Sequence, residues 1–414
     1  MFEQPPAEHE WVSWLMMVLW SLLIFATIPV ARAIEAVVVD AWGQQFFLYA
    51  TLIAIAAAAG VTFRHLYQLG SISPMRRVLL AGVAVLFAAY TFTLRHNAVE
   101  AIHFVEYGVL GVLAYRVLTH RMRDAGIYLA AALVGGIVGI IDEAIQWATP
   151  GRVWDLSDIW RNFFATALVL VGIAGGIRPP LIVGRPSPAS VRRICRIAVL
   201  AVLLLGASLL NVPARIAWYS DRVPGLGFLR ASSDVMLEYG HLYTDPEIGR
   251  FRSRFAADAL RRIDAQRGAE AGRILARFPE EDDYEVFLAR YTPITDPFAH
   301  EARVHLFVRD RYLTTAEWHR DDEDWYRRDL TVGYRENRIL EKYFPNTLRH
   351  SGSTLAPERR AYLAAKQFPK QRYESRVSKD VVARVGERSL LIGWLGTLVL
   401  LLAVHHAARR RSSP

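Results

Sequence analysis

Long apolar runs, separated by short polar connections, fill the first half of the chain and recur near its C-terminal end. Runs of about 17–25 mostly apolar residues have the length that crosses a bilayer as a helix. Eight such helices are predicted, over residues 11–32, 45–62, 76–94, 98–119, 125–147, 158–177, 194–212 and 389–407. The first run has no basic residue before it and is too long for a typical signal-peptide core, so we expect it to be retained.

The sequence between the last two predicted helices has a different pattern. Charged and aromatic residues are frequent there and long apolar runs are rare, which is typical of a water-soluble domain. A helical pattern runs from Asp245 to about Leu275, an alternating pattern over 301–309 predicts a strand, and a second helical pattern runs from Asp321 to Phe344. The predicted fold class is a mainly α polytopic membrane bundle of about eight helices with an inserted α+β domain before the last helix.

Basic residues orient this bundle. Lys and Arg are concentrated in alternate connections, and the positive-inside rule then places the N- and C-termini in the cytoplasm. The net charge of +9 is thereby explained by topology, and no nucleic-acid partner is expected. The predicted parts are two N-terminal helices (1–75), a four-helix unit (76–177), a cytoplasmic loop with the seventh helix (178–212), an extracytoplasmic domain (213–387), and the last helix with a basic tail (388–414).

Ionisable residues interrupt three of the predicted helices, although each costs roughly 2.5–3.5 kcal/mol at the centre of a bilayer. In the predicted orientation all of them lie within roughly 10–15 Å of the outer ends of their helices, at one depth in the outer leaflet. The polar and ionisable residues are Glu100, His103, Glu106 and Tyr107 in the first helix, Asp142, Glu143 and Gln146 in the second, and Asp158, Arg161 and Asn162 in the third.

Some of these acids have a structural explanation. Asn97 with Glu100, and Asp155 before the next helix, are suited to capping helix N-termini. Asp142 and Glu143 are different, because they lie near a helix C-terminus, where the helix dipole disfavours anions. Their charge requires compensation, and two interpretations stay open: a ligand-binding role, or an ion pair with Arg152 or Arg161.

His103 lies one helical turn from Glu100 and from Glu106, and these contacts could orient its ring as a general base. A histidine that only hydrogen-bonds a carboxylate is the alternative. Catalytic candidates are therefore His103, Glu106, Asp142 and Glu143. A metal site built from this histidine and the two acids is the weaker hypothesis, since it offers one nitrogen ligand and no HxxH-type spacing.

Common cofactor and nucleophile motifs do not occur in the sequence. There is no P-loop, no dinucleotide-binding fingerprint and no G-x-S-x-G, so no cofactor and no metal are expected. The single cysteine, Cys195, excludes an intrachain disulfide and a cysteine-based zinc cluster. The five histidines between positions 241 and 350 match no metal-binding spacing.

Taken in order, the polar residues resemble the VanZ-like family of bacterial membrane proteins. The family pattern is H-F-x-E-Y-x-x-L-G, then D-E-x-x-Q, P-x-R and D-x-x-x-N, over roughly residues 76–177. Many members carry lysine three residues before the histidine, where this chain has Glu100. The matching residues are His103, Phe104, Glu106, Tyr107, Leu110, Gly111, Asp142, Glu143, Gln146, Pro150, Arg152, Asp158 and Asn162.

The resemblance implies a protein of the bacterial inner membrane that acts in the cell envelope, in a family associated with reduced susceptibility to the glycopeptide teicoplanin. The expected function is binding of a membrane lipid or lipid-linked envelope precursor in an outer-leaflet polar pocket, with an envelope protein as a further partner of the external domain. The expected ligand-binding residues are Tyr107, Gln146, Arg152, Asp158, Arg161 and Asn162. The alternatives are an enzyme using His/carboxylate acid–base catalysis on an outer-leaflet lipid, and a scaffold.

Overall fold

The computed structural model describes residues 6–68, 70, 73–95, 100–232, 235–279, 283–368, 372–375, 377 and 383–411. The chain is mostly helical and divides into two compact units. One unit contains Met1–Ser208 together with Gly393–Pro414, and we call it the membrane unit. The other contains Leu209–Ile392, and we call it the inserted unit.

In the membrane unit, apolar runs form helices because a helix satisfies all of its backbone hydrogen bonds internally, as lipid requires. A 3₁₀ turn at Ile28–Val30 joins the first two helices, and a π-helical turn at Gly172–Ile177 extends the seventh. The helices are α1 (Glu10–Thr27), α2 (Ala31–Trp42), α3 (Phe46–Gln68), α4 (Pro74–Thr93), α5 (Ala101–Thr119), α6 (Gly126–Trp147), α7 (Leu156–Val171) and α8 (Pro188–Leu209).

The inserted unit is helical around one β-hairpin, the strands of which are β1 (His241–Asp245) and β2 (Gly249–Ser253). They pair antiparallel, from His241 opposite Ser253 to Asp245 opposite Gly249. A 3₁₀ turn covers Gly227–Ala231. The described helices are α9 (Pro213–Ser220), α10 (Ala257–Leu275), α11 (Asp283–Arg290), α12 (Pro297–Trp318), α13 (Glu323–Tyr343), α14 (Pro345–His350) and α15 (Pro357–Lys366), and α16 (Glu387–Arg410) returns to the membrane unit.

Seven helical segments of the described chain are long and apolar enough to cross a membrane, with α1 and α2 counted as one segment. The predicted eighth, near 194–212, corresponds to α8, which passes this test only together with α9, and the two helices meet at an angle of 88°. Its first turns carry three arginines, so no sufficiently apolar stretch lies within α8 alone. The chain is thus a multi-pass membrane protein with seven such helices, or eight if the bent pair is one span.

The core of the membrane unit lies between α5, α6 and α7. Half or more of the most apolar stretch of each of these helices is buried, against 17% for the segment containing α1 and none for α16. Phe104 and Leu110 of α5, Ile127 of α6 and Ala165 of α7 are among the buried residues of this core. These three helices therefore have the fixed surroundings that can hold polar side chains in place.

Glycines let these three helices approach closely, as small residues do in membrane bundles. A Cβ atom built on Gly135 of α6 would lie 2.5 Å from Oγ1 of Thr166 in α7. On Gly111 of α5 it would lie 3.2 Å from the carbonyl oxygen of Thr166. Gly111 and Gly135 therefore allow α5 and α6 to pack closely against α7.

Helix α16 lies antiparallel to α8. Nε1 of Trp394 donates to the carbonyl oxygen of Val202 over 2.7 Å, and Nη1 of Arg192 donates to the carbonyl oxygen of Ala408 over 3.3 Å. The Trp394 ring also occupies the space that a Cβ atom on Gly206 would need. The two helices therefore run side by side over about ten residues of α8, or roughly 15 Å.

The helix predicted to begin at Asp245 begins only at Ala257. Oδ1 of Asp245 accepts hydrogen bonds from the backbone of Glu247 (3.0 Å) and Ile248 (3.3 Å), which folds the Asp-Pro-Glu segment into the hairpin turn. Gly249 follows at φ +108°, a conformation that favours glycine. The prediction mistook an acid that stabilises a turn for an acid at a helix start.

The strand predicted over 301–309 is also wrong, because these residues lie within α12. Asp296 caps that helix by accepting from the backbone N–H of Ala299 over 3.1 Å, and Pro297 follows it at the first helical position. Glu301, His305 and Arg309 are buried on one helical face. Alternation of polar and apolar residues indicates a strand only when the polar positions face water, and here they face the core.

Candidate functional site

The first turns of α5 and α7 and the last turns of α6 bring together most of the polar residues singled out in the sequence. Asp142 and Glu143, near the end of α6, are both fully buried. The Tyr107 hydroxyl donates to Oδ2 of Asp142 over 3.1 Å. The other carboxylate oxygen of Asp142, Oδ1, is buried and has no hydrogen-bond partner among the described residues.

Glu143 is held by neutral donors. Nε2 of Gln146 donates to its Oε1 over 2.9 Å, and the backbone N–H of Asp155 donates to its Oε2 over 2.9 Å. Arg152 in turn donates to Oε1 of Gln146 from Nε (3.1 Å) and Nη2 (2.5 Å). The guanidinium therefore reaches the acid only through the Gln146 amide.

Arg161 serves a different set of acids. Its guanidinium pairs with Glu100 and with Asp158, and Oδ2 of Asp155 lies 3.7 Å from its Nη2. Neither Asp142 nor Glu143 forms an ion pair within the part of the chain that the structure describes. The interpretation that pairs these two acids with Arg152 or Arg161 is wrong, because Asp158 lies one turn before Arg161 on the same helix face and competes for it.

His103 lies at the more exposed edge of the cluster, with 30% of its side chain accessible. Its Nδ1 is 3.0 Å from Oε2 of Glu106, which is ion-pair distance, but the two atoms lack hydrogen-bond alignment. The charges of His103, Asp142 and Asp158 are close enough to interact. The backbone carbonyl of Glu106 accepts a hydrogen bond from Nε1 of Trp20 over 2.9 Å, so α1 also supports this turn.

Asn162 lies behind the acids, buried against α6. A Cβ atom on Gly139 would lie 3.2 Å from Cβ of Asn162 and 3.7 Å from Cε1 of Tyr107. Thr166, one turn further along α7, donates to the carbonyl oxygens of Tyr107 and Asn162, each over 3.1 Å. The imidazole, the two acids and the asparagine are thus parts of one cluster, which we call the polar cluster.

The capping predictions have different outcomes. Asp155 is the N-cap of α7 and accepts from the backbone N–H of Ser157 over 2.7 Å, so its capping role is confirmed. Glu100 occupies the N-cap of α5 without a side-chain cap hydrogen bond, and it pairs with Arg161. Asn97, the other member of that predicted capping box, lies outside the described residues.

Three contributors to the polar cluster were not predicted from the sequence. Trp20 lies in an apolar run, where no sequence signal distinguishes it. The backbone N–H of Asp155 carries no side-chain signal at all. The pairing of Arg161 with Asp158 was detectable, because residues three apart on a helix are neighbours. Among the described residues, no group of three or more His, Cys, Asp and Glu side chains is arranged to hold a metal ion.

Comparisons of the chain with family models, with curated proteins and with solved structures found no match. The VanZ-like resemblance therefore stays a prediction carried by the residues quoted above.

The chemistry of the polar cluster follows from its excess of buried carboxylates over the cations that contact them among the described residues. A buried carboxylate without a cation costs several kcal/mol unless it is protonated or hydrogen-bonded. Glu143 has two neutral donors, whereas Asp142 has one and leaves Oδ1 free among the described groups. The cluster can therefore accept a hydrogen bond from an incoming group at Asp142 and take up a proton on its acids.

Proposed function

We propose that the chain is a VanZ-like protein of the bacterial inner membrane that binds the polar headgroup of a membrane lipid or lipid-linked envelope precursor at the polar cluster. The unpartnered Oδ1 of Asp142 carries this proposal. Native buried polar atoms almost always have partners. A headgroup hydroxyl, amine or amide supplies the missing donor.

Arg152 supports the same proposal from the other side of the cluster. Its Nε and Nη2 are engaged by Gln146, and Nη1 is left for a phosphate or carboxylate of the ligand. Arg161, which we expected to bind the ligand directly, is used to join α5 and α7. In the proposal Arg161 therefore positions the helices, and Tyr107, Gln146, Asp158 and Asn162 shape the site.

We further propose eight membrane crossings, with both termini in the cytoplasm and the inserted unit outside. The antiparallel contact of α8 with α16 supports this, because a helix that runs along a spanning helix over roughly 15 Å is itself at membrane depth. The arginines in the loop before α8 and in the first turns of α8, like those at the end of α16, favour the cytoplasmic side for both ends. The polar cluster then lies in the outer leaflet, and the inserted unit faces envelope partners.

The test uses Glu143→Gln and Arg152→Ala, introduced into a strain that lacks the gene. We expect both variants to lose protection against cell-wall antibiotics, including glycopeptides, and the purified proteins to retain less co-purifying lipid in native mass spectrometry. Asp40→Asn is the matched control, since Asp40 is an exposed acid of α2 outside the polar cluster. Unchanged lipid retention and antibiotic sensitivity in both variants, at normal protein levels, would remove the proposal.

A second candidate function, an enzyme acting on an outer-leaflet lipid, is favoured by one observation. His103 is partly exposed and its Nδ1 lies 3.0 Å from Oε2 of Glu106, close enough for this carboxylate to orient the ring as a general base after a small rotation. This function requires turnover of a labelled lipid by the purified protein, lost in His103→Gln and kept in His65→Gln, a change at an exposed histidine of α3. No turnover in the unaltered protein would leave binding alone.

A further inference from the structure

A concave space opens beside α5, with its charged residues at the end of α5 opposite the polar cluster. It has a volume of about 780 Å³, within the range of ligand sites, and it opens between α1, α6 and α8. Its apolar walls include Val18 and Leu22 of α1, Ile137 and Ile141 of α6, and Leu200 of α8. We call this space the basic groove, because Arg121, Arg193 and Arg196 line it as well.

The basic groove has the dimensions of one leaflet. Its wall on α1 runs from Trp14 to Phe25, or about 17 Å at 1.5 Å per residue. Half of the hydrocarbon thickness of a bilayer is about 15 Å. The charged residues lie at one end, at the start of α1, the end of α5 and the start of α8. A lipid with its headgroup at that end would extend one acyl chain along the whole wall.

Positive charge exceeds negative charge at this end. Arg121 pairs with Glu10, with 2.6 Å between Nε and Oε1. Arg193 donates to the backbone carbonyl of Arg121 and pairs with no carboxylate among the described residues. Arg196 makes neither a hydrogen bond nor an ion pair with any described residue. Two guanidinium groups therefore remain for an anion at the mouth of an apolar groove.

We infer that the basic groove binds an anionic glycerophospholipid from the leaflet at the C-terminal end of α5. The phosphate groups contact Arg193 and Arg196, and one acyl chain lies along α1 and α6. Basic sites between transmembrane helices suit anionic headgroups, because guanidinium–phosphate contacts are charge-assisted and the groove walls exclude water. About 28 Å of α5 separates the arginines of the basic groove from the polar cluster, so the two headgroup sites are distinct, although the apolar end of the groove reaches Ile141, next to Asp142.

The experiment compares lipid retention by the purified full-length protein from micelles with equal amounts of phosphatidylglycerol and phosphatidylcholine, measured by native mass spectrometry. We expect the unaltered protein to retain phosphatidylglycerol preferentially. The double variant Arg193→Gln/Arg196→Gln is expected to lose this preference by about tenfold or more, since each charge-assisted contact contributes about that factor. Arg77→Gln/Arg185→Gln, which removes two exposed arginines that do not line the groove, should keep it.

Further variants distinguish the contribution of the headgroup from that of the acyl chain. They also keep the test informative if the double variant misfolds. Ser21→Phe fills the apolar part of the groove and should lower retention of both lipids. Arg196→Gln alone removes a side chain that has no hydrogen bond or ion pair with any described residue, so it reports on binding even if the double variant does not fold. Equal retention of both lipids by the unaltered protein, equal losses in both arginine pairs, or a dimer that covers the groove would overturn the inference.

Discussion

Buried charged and polar side chains contact one another in the inserted unit, and His300 of α12 illustrates their effect on stability. Nη2 of Arg254 lies 3.2 Å from Nδ1 of His300. Because a guanidinium can only donate, Nδ1 must accept and the ring is neutral. Burial, followed by the positive charge of Arg254, lowers the pKa of His300 to about 3. Glu238 and Glu301 neutralise the arginine instead.

We therefore predict that the inserted unit loses stability as the pH falls below about 6.5. In that range the unfolded state binds a proton at position 300 and the folded state does not, so unfolding becomes more favourable. Between pH 7 and pH 5 the loss attributable to His300 should be about 2 kcal/mol. Hydrogen exchange of the α12 amides in the full-length protein, corrected for intrinsic rates, measures it.

His300→Gln keeps a hydrogen-bond acceptor for Arg254 but cannot titrate, so its stability should vary less between pH 7 and pH 5 by that amount. His350→Gln, a change at an exposed histidine of α14, should behave as the unaltered protein does. The explanation fails if the pH dependence is the same with and without His300.

At the scale of helices, the sequence predicted the membrane unit better than the inserted unit. The predictions 98–119, 125–147 and 158–177 correspond closely to α5, α6 and α7, because in lipid an apolar run has little alternative to a helix. In the inserted unit, backbone groups can form hydrogen bonds with water as well as with protein. The pattern of polar and apolar residues alone therefore did not distinguish a helix from a strand. Glu301 and His305 fit a strand period and a helix period equally, and only their buried partners decide between the two.

The sequence predicted which residues form the polar cluster, but not which of them form ion pairs with one another. Polar residues near one end of three neighbouring helices have to share an environment, so sequence position alone indicated that His103, Asp142 and Asn162 would be near one another. Which guanidinium serves which acid depends on helix rotation and on short local distances. Arg161 therefore pairs with Glu100 and Asp158 rather than with Asp142 or Glu143.

The close contact of α6 with α7 gives an element-level prediction. Gly135→Ala should destabilise the membrane unit by about 1–3 kcal/mol, the usual effect of overpacking a filled core. Thr166 cannot move away easily, because its hydroxyl donates to the carbonyl oxygens of Tyr107 and Asn162. Thermal unfolding of the purified protein in detergent measures this change in stability. It is monitored as the loss of the monodisperse peak in size-exclusion chromatography.

Gly82→Ala is the matched control in α4, where a Cβ atom would meet nothing within 4 Å. It should leave stability unchanged or raise it, since alanine favours helix more than glycine does. A Gly135→Ala protein as stable as the control would show that the α6–α7 contact is looser than the structure indicates.

At the scale of the whole molecule, the number of crossings decides which side the inserted unit faces. If α8 crosses, the inserted unit lies opposite to the loop between α7 and α8, and we predict this arrangement. In a Cys195→Ser background, Ala265→Cys should react with a membrane-impermeant maleimide in spheroplasts. Arg185→Cys and Arg411→Cys should react only after permeabilisation.

All three introduced positions are at exposed residues, so each should react fully once the membrane is opened. Protection of Ala265→Cys in spheroplasts, matching Arg185→Cys, would mean that α8 turns back without crossing. The inserted unit would then lie on the opposite side of the membrane from the polar cluster. It could not act on a ligand bound at the polar cluster.

The pairing of α8 with α16 places the two chain junctions of the inserted unit close together. Trp394 packs on Gly206, so the polypeptide leaves the membrane unit and re-enters it at neighbouring points. A domain whose two chain ends lie close together can be inserted into another fold without disturbing it. We therefore expect that residues 209–392 can be replaced by a short linker without separating α8 from α16.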